Sequence, residues 1–212
     1  LLVVEGVYSH LSCSTDINNK NNSLQVEKFS EIVKIAKSKC KIKYFHLLNS
    51  SGLYNISSKY QYDSVRIGLS MYGISPLNKA DKNLKPVMEL IAPVVLIKEV
   101  KEGEGIGYGM TYIAKNNIKI GIVQCGYADG IPFKFANAGE VKFKDNYYPI
   151  ISRISMDLFC IKIDNKIQMY DWVTIWGGDS EKMKIETLSN KFNILPYIFL
   201  TNLSERVQRI YV

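Results

Sequence analysis

The sequence predicts two architectures in series, an α/β segment over residues 1–80 and an all-β segment over residues 81–212. Two observations carry this reading. In the first segment, apolar runs of strand length alternate with stretches of helical spacing. In the second, short runs with every other residue apolar follow one another across turn-forming residues, and one helical pattern stands near the end. Pro76, Asn78 and Pro86 mark the junction.

Val3–His10 is apolar and ends in polar residues, as a buried strand does. A polar loop is expected through Ser14–Ser23. Phe29, Ile32, Val33 and Ala36 then recur at helical spacing, which predicts an amphipathic helix over Ser23–Lys39 capped by Asn22 or Ser23. Ile42–Leu48 reads as a second buried strand, Ser50–Ser57 as a short helix and Ser64–Ile67 as a third strand. Strands separated by helices imply parallel βα units. Three such units are too few to close a barrel and fit the last units of a TIM-type (β/α)8 barrel.

Beyond the junction, Ile118, Ile120 and Ile122 alternate with polar or small residues. Val141–Lys144 and Tyr147–Ile150 flank an expected turn at Asp145-Asn146. Leu158–Ile163 and Trp172–Trp176 are further strands, and Ile185, Leu188 and Phe192 predict one helix. This half is expected to be a mostly antiparallel β domain.

Bulk composition excludes several classes. With 47% hydrophobic and 22% charged residues, the chain has the balance of a folded globular protein rather than a disordered one. The longest apolar stretch, Ile91–Ile97, is broken by Pro93 and far short of the roughly 20 residues that span a bilayer. The net charge of +7 comes almost wholly from dispersed lysines, which describe a solvated surface and not a nucleic-acid or membrane patch. Only Arg66, Arg153, Arg206 and Arg209 are arginines, so the guanidinium is reserved for a few places. The cysteines at 13, 40, 125 and 160 have no Cys-x-x-Cys spacing, and there are only two histidines. A metal site or disulfide framework is therefore not expected, and a cytoplasmic setting is. Cys125 and Cys160 are expected to be small core residues. The chain opens within strand-like sequence with neither an initiator Met nor a secretory signal, and is expected to be the back part of a longer protein.

Certain residues are not explained by strand patterning. Arg66, in Val65-Arg66-Ile67-Gly68, stands at the C-terminal end of an expected strand, where βα barrels carry their chemistry. A Gly68 N–H and a Ser50 hydroxyl, with Asn49 beside it, suit a phosphate. His10 and His46 fall at neighbouring strand ends and can form a relay with Arg66, although each also reads as a core histidine and Arg66 as a surface ion pair. Gly107-Tyr108-Gly109 on its own reads equally as a glycine-rich connection. Two further phrases stand out, Gly126-Tyr127-Ala128-Asp129-Gly130 and Arg153-Ile154-Ser155-Met156-Asp157.

Taken together, these motifs resemble those of alanine racemases, enzymes built on pyridoxal 5'-phosphate, and the resemblance runs from about Val4 to Val212. It implies a cofactor site made by Asn49, Ser50, Arg66, Gly68 and His46. In it Arg66 faces the pyridine nitrogen, and Ser50 and backbone near Gly68 take the phosphate. It implies that Tyr108 accepts the proton of the L-enantiomer. A phenol of ordinary pKa about 10 needs positive charge or hydrogen bonding for that role, and His10 beside Arg66 is the implied route. Met156 is implied to offer its backbone N–H to the substrate carboxylate, and Tyr127 and Arg153 to line the substrate entrance. Asp129 and Asp157 read as supporting residues. The lysine that binds the cofactor and the barrel arginine for the substrate carboxylate are implied to lie upstream of this sequence. Glu205 stands where some members have a tyrosine near the phosphate and is expected to face solvent; Phe133 replaces an entrance arginine. The implied partner set is alanine and a second identical chain that shares the active site. A racemase of another small amino acid such as serine, or a noncatalytic β-domain binding module, are the alternatives.

Overall fold

The structure is a computed structural model that describes residues 2–39, 41–77 and 79–212. Leu1, Cys40 and the junction residue Asn78 lie outside the described residues. The chain divides into two compact units, Leu1–Lys85 and Pro86–Val212.

The first unit is built on a right-sized βαβ motif. Strand β1 (Gly6–Tyr8) pairs in parallel with β2 (Tyr44–His46), in the register Gly6↔Tyr44 and Tyr8↔His46, and helix α1 (Lys20–Lys39) connects them. The helix starts three residues earlier than Ser23, because Asn19 and not Asn22 or Ser23 caps it. The Asn19 side chain accepts the Asn21 N–H at 3.1 Å, while Asn22 is buried and its amide donates to the Cys13 and Asp16 carbonyls. The buried face carries Asn22, Val26, Phe29 and Val33, spaced to lie along one stripe. Ile32, expected inside, is exposed. The first turn holds no acidic residue to favour the helix dipole. Its stability therefore comes from packing, with Val26, Phe29 and Val33 each contributing about 1.5–3 kcal/mol on burial against Phe45, Leu47 and Leu48.

The strands of this unit are shorter and less buried than expected. Val3 and Val4 are exposed, and among the described residues β1 has β2 as its single hydrogen-bonded neighbour. The expected third strand Ser64–Ile67 reduces to one parallel bridge, Asn49↔Arg66, with the Arg66 N–H donating to Leu48 O at 3.0 Å. Asp63 explains the shortening. Its carboxylate accepts the Phe45 N–H at 2.9 Å, a place that a strand carbonyl would otherwise fill. Helix α2 (Ser50–Asn55) follows β2 directly and is capped by Asn49.

The second unit is a closed six-stranded antiparallel barrel. Its strands are β3 (Glu89–Val100), β6 (Ile118–Val123), β7 (Glu140–Phe143), β8 (Asn146–Ile151), β9 (Phe159–Ile163) and β10 (Trp172–Gly177), ordered β10-β3-β6-β9-β8-β7. A two-stranded ribbon, β4 (Gly105–Ile106) with β5 (Tyr112–Ile113), is inserted between β3 and β6. The 12-residue β3 makes closure possible, since its first part pairs with β10 and its second part with β6. Pro93 sits where the partner changes and a register shift follows at Val94–Leu96, so the missing N–H falls at a bend. Alternate residues are buried along the strands, and Gly121 leaves room for the buried side chains of Val94, Ile161 and Ile163. The turn between β7 and β8 is Lys144-Asp145, one residue earlier than expected, with Lys144 in the left-handed region at φ 53°.

Helix α3 (Ile185–Phe192) buries Ile185, Leu188 and Phe192 as its spacing requires. A second helix, α4 (Pro196–Thr201), was not expected, and it starts on Pro196 in the first turn and packs Phe199 against Phe135 and Trp176. Cys125 is buried; Cys160 is only partly so. Among the described residues no helix is long and apolar enough to cross a membrane.

Candidate active site

Within the first unit, Arg66 joins the C-terminal ends of β1 and β2. Its Nη1 donates to His46 Nδ1 at 2.8 Å and to His46 O at 3.2 Å. Its Nη2 donates to Ser9 O at 2.7 Å, to His10 Nδ1 at 3.3 Å and to Leu47 O at 3.4 Å. Guanidinium only donates, so both imidazole Nδ1 atoms are acceptors and carry no proton. Burial, and then the adjacent Arg66 charge, lower the His46 pKa below its ordinary value. With both terminal nitrogens engaged, the Nε–H of Arg66 is the donor without a partner among the described residues.

Tyr8 completes this arrangement. Its ring stacks on His46 at 5.2 Å and 15°, and the Arg66 guanidinium lies 5.2 Å from the same ring centroid. Sequence reasoning missed Tyr8. The available signal was its place two residues before His10, on the same face of the strand.

Asn49, Ser50 and Gly68 are also brought together. Asn49 Oδ1 accepts the Gly52 N–H at 2.8 Å and the hydroxyls of Ser14 and Ser51, which fixes the turn into α2. Ser50, next in the chain, accepts the Gly68 N–H at 3.0 Å. A Cβ placed on Gly68 would meet nothing within 4 Å, so open space adjoins this pair.

Within the second unit, the remaining residues stand on neighbouring turns. Tyr108 stands in a 3-10 turn over Tyr108–Met110 and is 75% exposed. The turn is pressed onto the segment after β8. Gly107 has φ 71°, and a Cβ there would fall 1.6 Å from Ser152 Oγ. The Arg153 guanidinium lies beside Gly109, 3.5 Å from where a Cβ would stand.

The two phrases Gly126–Gly130 and Arg153–Asp157 interlock. The Tyr127 N–H donates to Ser155 O and the Ala128 N–H to Met156 O, both at 3.1 Å. Gly126 permits this approach, because a Cβ there would lie 2.2 Å from Met156 O. Asp129 Oδ2 accepts the Gly126 N–H at 2.7 Å, and its Oδ1 takes Arg206 Nε at 2.6 Å. Arg206 Nη2 reaches Asp157 Oδ1 at 2.7 Å. Burial, and then the Asp129 carboxylate, push the neighbouring Cys125 thiol up to about 12, so that cysteine is an inert part of the packing. Tyr127 and Met156 are exposed, as are Arg153, Phe133 and Glu205.

A family profile described as alanine racemase, C-terminal domain, matches residues 87–211, and one described as alanine racemase, N-terminal domain, matches residues 2–76. The chain belongs to the alanine racemase family. It is 35% identical to the alanine racemase of Vesicomyosocius okutanii over 208 residues, covering 98% of this chain and 57% of the relative. Identity to the alanine racemase of Aquifex pyrophilus is 36%, covering 99% of this chain and 59% of that one. The solved alanine racemase of Streptomyces coelicolor superposes with a TM-score of 0.93 at 29% identity, over 100% of this chain and 57% of that one. That of Bartonella henselae, solved with covalently bound pyridoxal phosphate, gives 0.86 at 29% identity over 98% and 56%. The chain thus spans under three-fifths of the length of the racemases it matches.

Proposed function

We propose that these 212 residues are the cofactor-facing and substrate-facing part of a cytoplasmic pyridoxal phosphate-dependent racemase that interconverts L- and D-alanine and supplies D-alanine for the cell wall. The observation that carries the reading is Arg66, held at the strand tips by two imidazoles, three carbonyls and the Tyr8 ring with its Nε–H left open. A surface ion pair would need none of this. The first unit contributes the last βα elements of a (β/α)8 barrel. The lysine that would anchor the cofactor lies outside these residues.

The first unit fits a phosphorylated pyridine. Ser50 and the open ground at Gly68 suit the phosphate, and Arg66 suits the ring nitrogen, with Asn49 and His46 shaping those two ends. Pyridoxal phosphate, when bound, draws electrons from the amino acid's Cα and makes its proton transferable. Arg66 cannot give up a proton, so it keeps a facing ring nitrogen unprotonated and restrains that withdrawal, which favours prompt return of a proton to Cα. Tyr108 takes or returns the proton on one face of Cα. The opposite face needs a second base, because one group cannot reach both sides. Met156 offers its N–H to the carboxylate, and Tyr127 and Arg153 border the approach. Two chains share each site, with Tyr108 and Met156 of one serving Arg66 of the other.

The direct test uses the intact enzyme, in which the remaining racemase length joins this chain. With L-alanine and pyridoxal phosphate in D2O, it is expected to form D-alanine labelled at Cα, and the 212-residue chain alone to form none. Unlabelled substrate recovered from the intact enzyme would reject the function. Racemisation by the 212-residue chain would reject the placement of the second base.

A further inference from the structure

We propose that Arg206 is a positioning residue that fixes the Met156 N–H for the substrate carboxylate; this deepens the reading above and rests on it. Both peptides around Met156 are tied down. The Ser155 carbonyl accepts from Tyr127, and the Met156 carbonyl accepts from Ala128 at 3.1 Å and from Arg206 Nη2 at 3.4 Å. The described peptide bonds are all trans, so the Met156 N–H points opposite to the Ser155 carbonyl, away from the Gly126–Gly130 turn. That N–H donates to no group among the described residues. It is an open donor on a peptide whose neighbours are pinned.

Arg206 supplies the cross-tie. Its guanidinium binds Asp129 Oδ1 through Nε at 2.6 Å and Asp157 Oδ1 through Nη2 at 2.7 Å. Asp129 belongs to one phrase and Asp157 to the other. One planar cation therefore locks both loops and the Met156 carbonyl between them, a geometry that a lysine's single ammonium cannot copy. It also neutralises charge. Without Arg206, two carboxylates flank the peptide that must receive a third.

Two readouts separate the tie from its purpose. In the 212-residue chain, Arg206→Gln is expected to speed amide hydrogen exchange at Tyr127, Ala128 and Ser155, whose N–H groups make the bonds the tie holds, at least roughly tenfold, with the β3, β6 and β9 amides unchanged. In the intact enzyme, Arg206→Gln is expected to raise KM for alanine roughly tenfold and to lower kcat less. Arg206→Lys should recover part of the loss, and Asp157→Asn added to Arg206→Gln should relieve part of it. Unchanged exchange at Tyr127, Ala128 and Ser155 would overturn the tie. Faster exchange throughout the barrel would make Arg206 a general support of the fold and overturn the proposal. Faster local exchange with unchanged KM would keep the tie and reject Met156 as the carboxylate contact.

Discussion

Tyr108→Phe in the intact enzyme is expected to cut racemisation by a factor of roughly 10²–10⁴, the usual worth of a positioned acid–base group. The fold should not notice. Tyr108 is 75% exposed, and its turn is held by backbone fit, with Gly107 pressed on Ser152. Loss of one hydroxyl from such a side chain removes no core packing. The deficit should therefore appear in kcat with thermal unfolding unchanged. The check is initial rates from each enantiomer beside a melting curve on the same protein. A variant that keeps most of its rate would remove Tyr108 from the chemistry.

Gly126→Ala is expected to do the reverse and act through structure. Its φ of −146° suits any residue, so backbone strain has no part in the effect. The added methyl would sit 2.2 Å from Met156 O and 2.5 Å from Asp157 N, both backbone atoms that no side-chain rotation can move. Accommodation must separate the two phrases and break the Tyr127 and Ala128 hydrogen bonds with them. Overpacking of this kind costs about 3 kcal/mol or more, and the melting temperature of the second unit should fall by about 10 °C. Activity should fall with it, because the Met156 peptide moves. A melting curve within a degree or two of the parent's would contradict the interlocked arrangement.

The sequence disclosed type and order better than extent. Helix α1 was legible from Phe29 and Val33, which lie on its buried face, but Ile32 at the next position points out. Apolar residues beside a stripe raise the same signal as those within it. Strand β3 stayed hidden because Pro93 breaks its apolar run, and in the structure that proline marks the bend by which the strand changes partners. Ser64–Ile67 had strand composition, yet Asp63 spends a side chain where a ladder bond would stand. Residue chemistry cannot reveal such a substitution without the register.

The site was legible as motifs and not as contacts. Arg66, His46 and His10 were expected together, and hydrogen bonds now join them. Tyr8 was missed because an aromatic residue in a strand needs no special explanation. Arg206 had been singled out only as one of four arginines. Its role depends on Asp129, 77 residues away in the chain, and no local pattern records a pairing at that range.

The account stands on Arg66 and Tyr108 serving one reaction from two copies of this chain. Subunit mixing tests it most directly. The intact enzyme is prepared with Arg66→Lys and, separately, with Tyr108→Phe; the two are mixed in equal amounts, dissociated and reassociated. In a two-fold dimer with shared sites, half of the products are mixed, and each mixed dimer holds one site with both native residues. The account predicts that activity climbs to about a quarter of the parent's, far above the two variants measured alone. Activity equal to the average of the separate variants would contradict it.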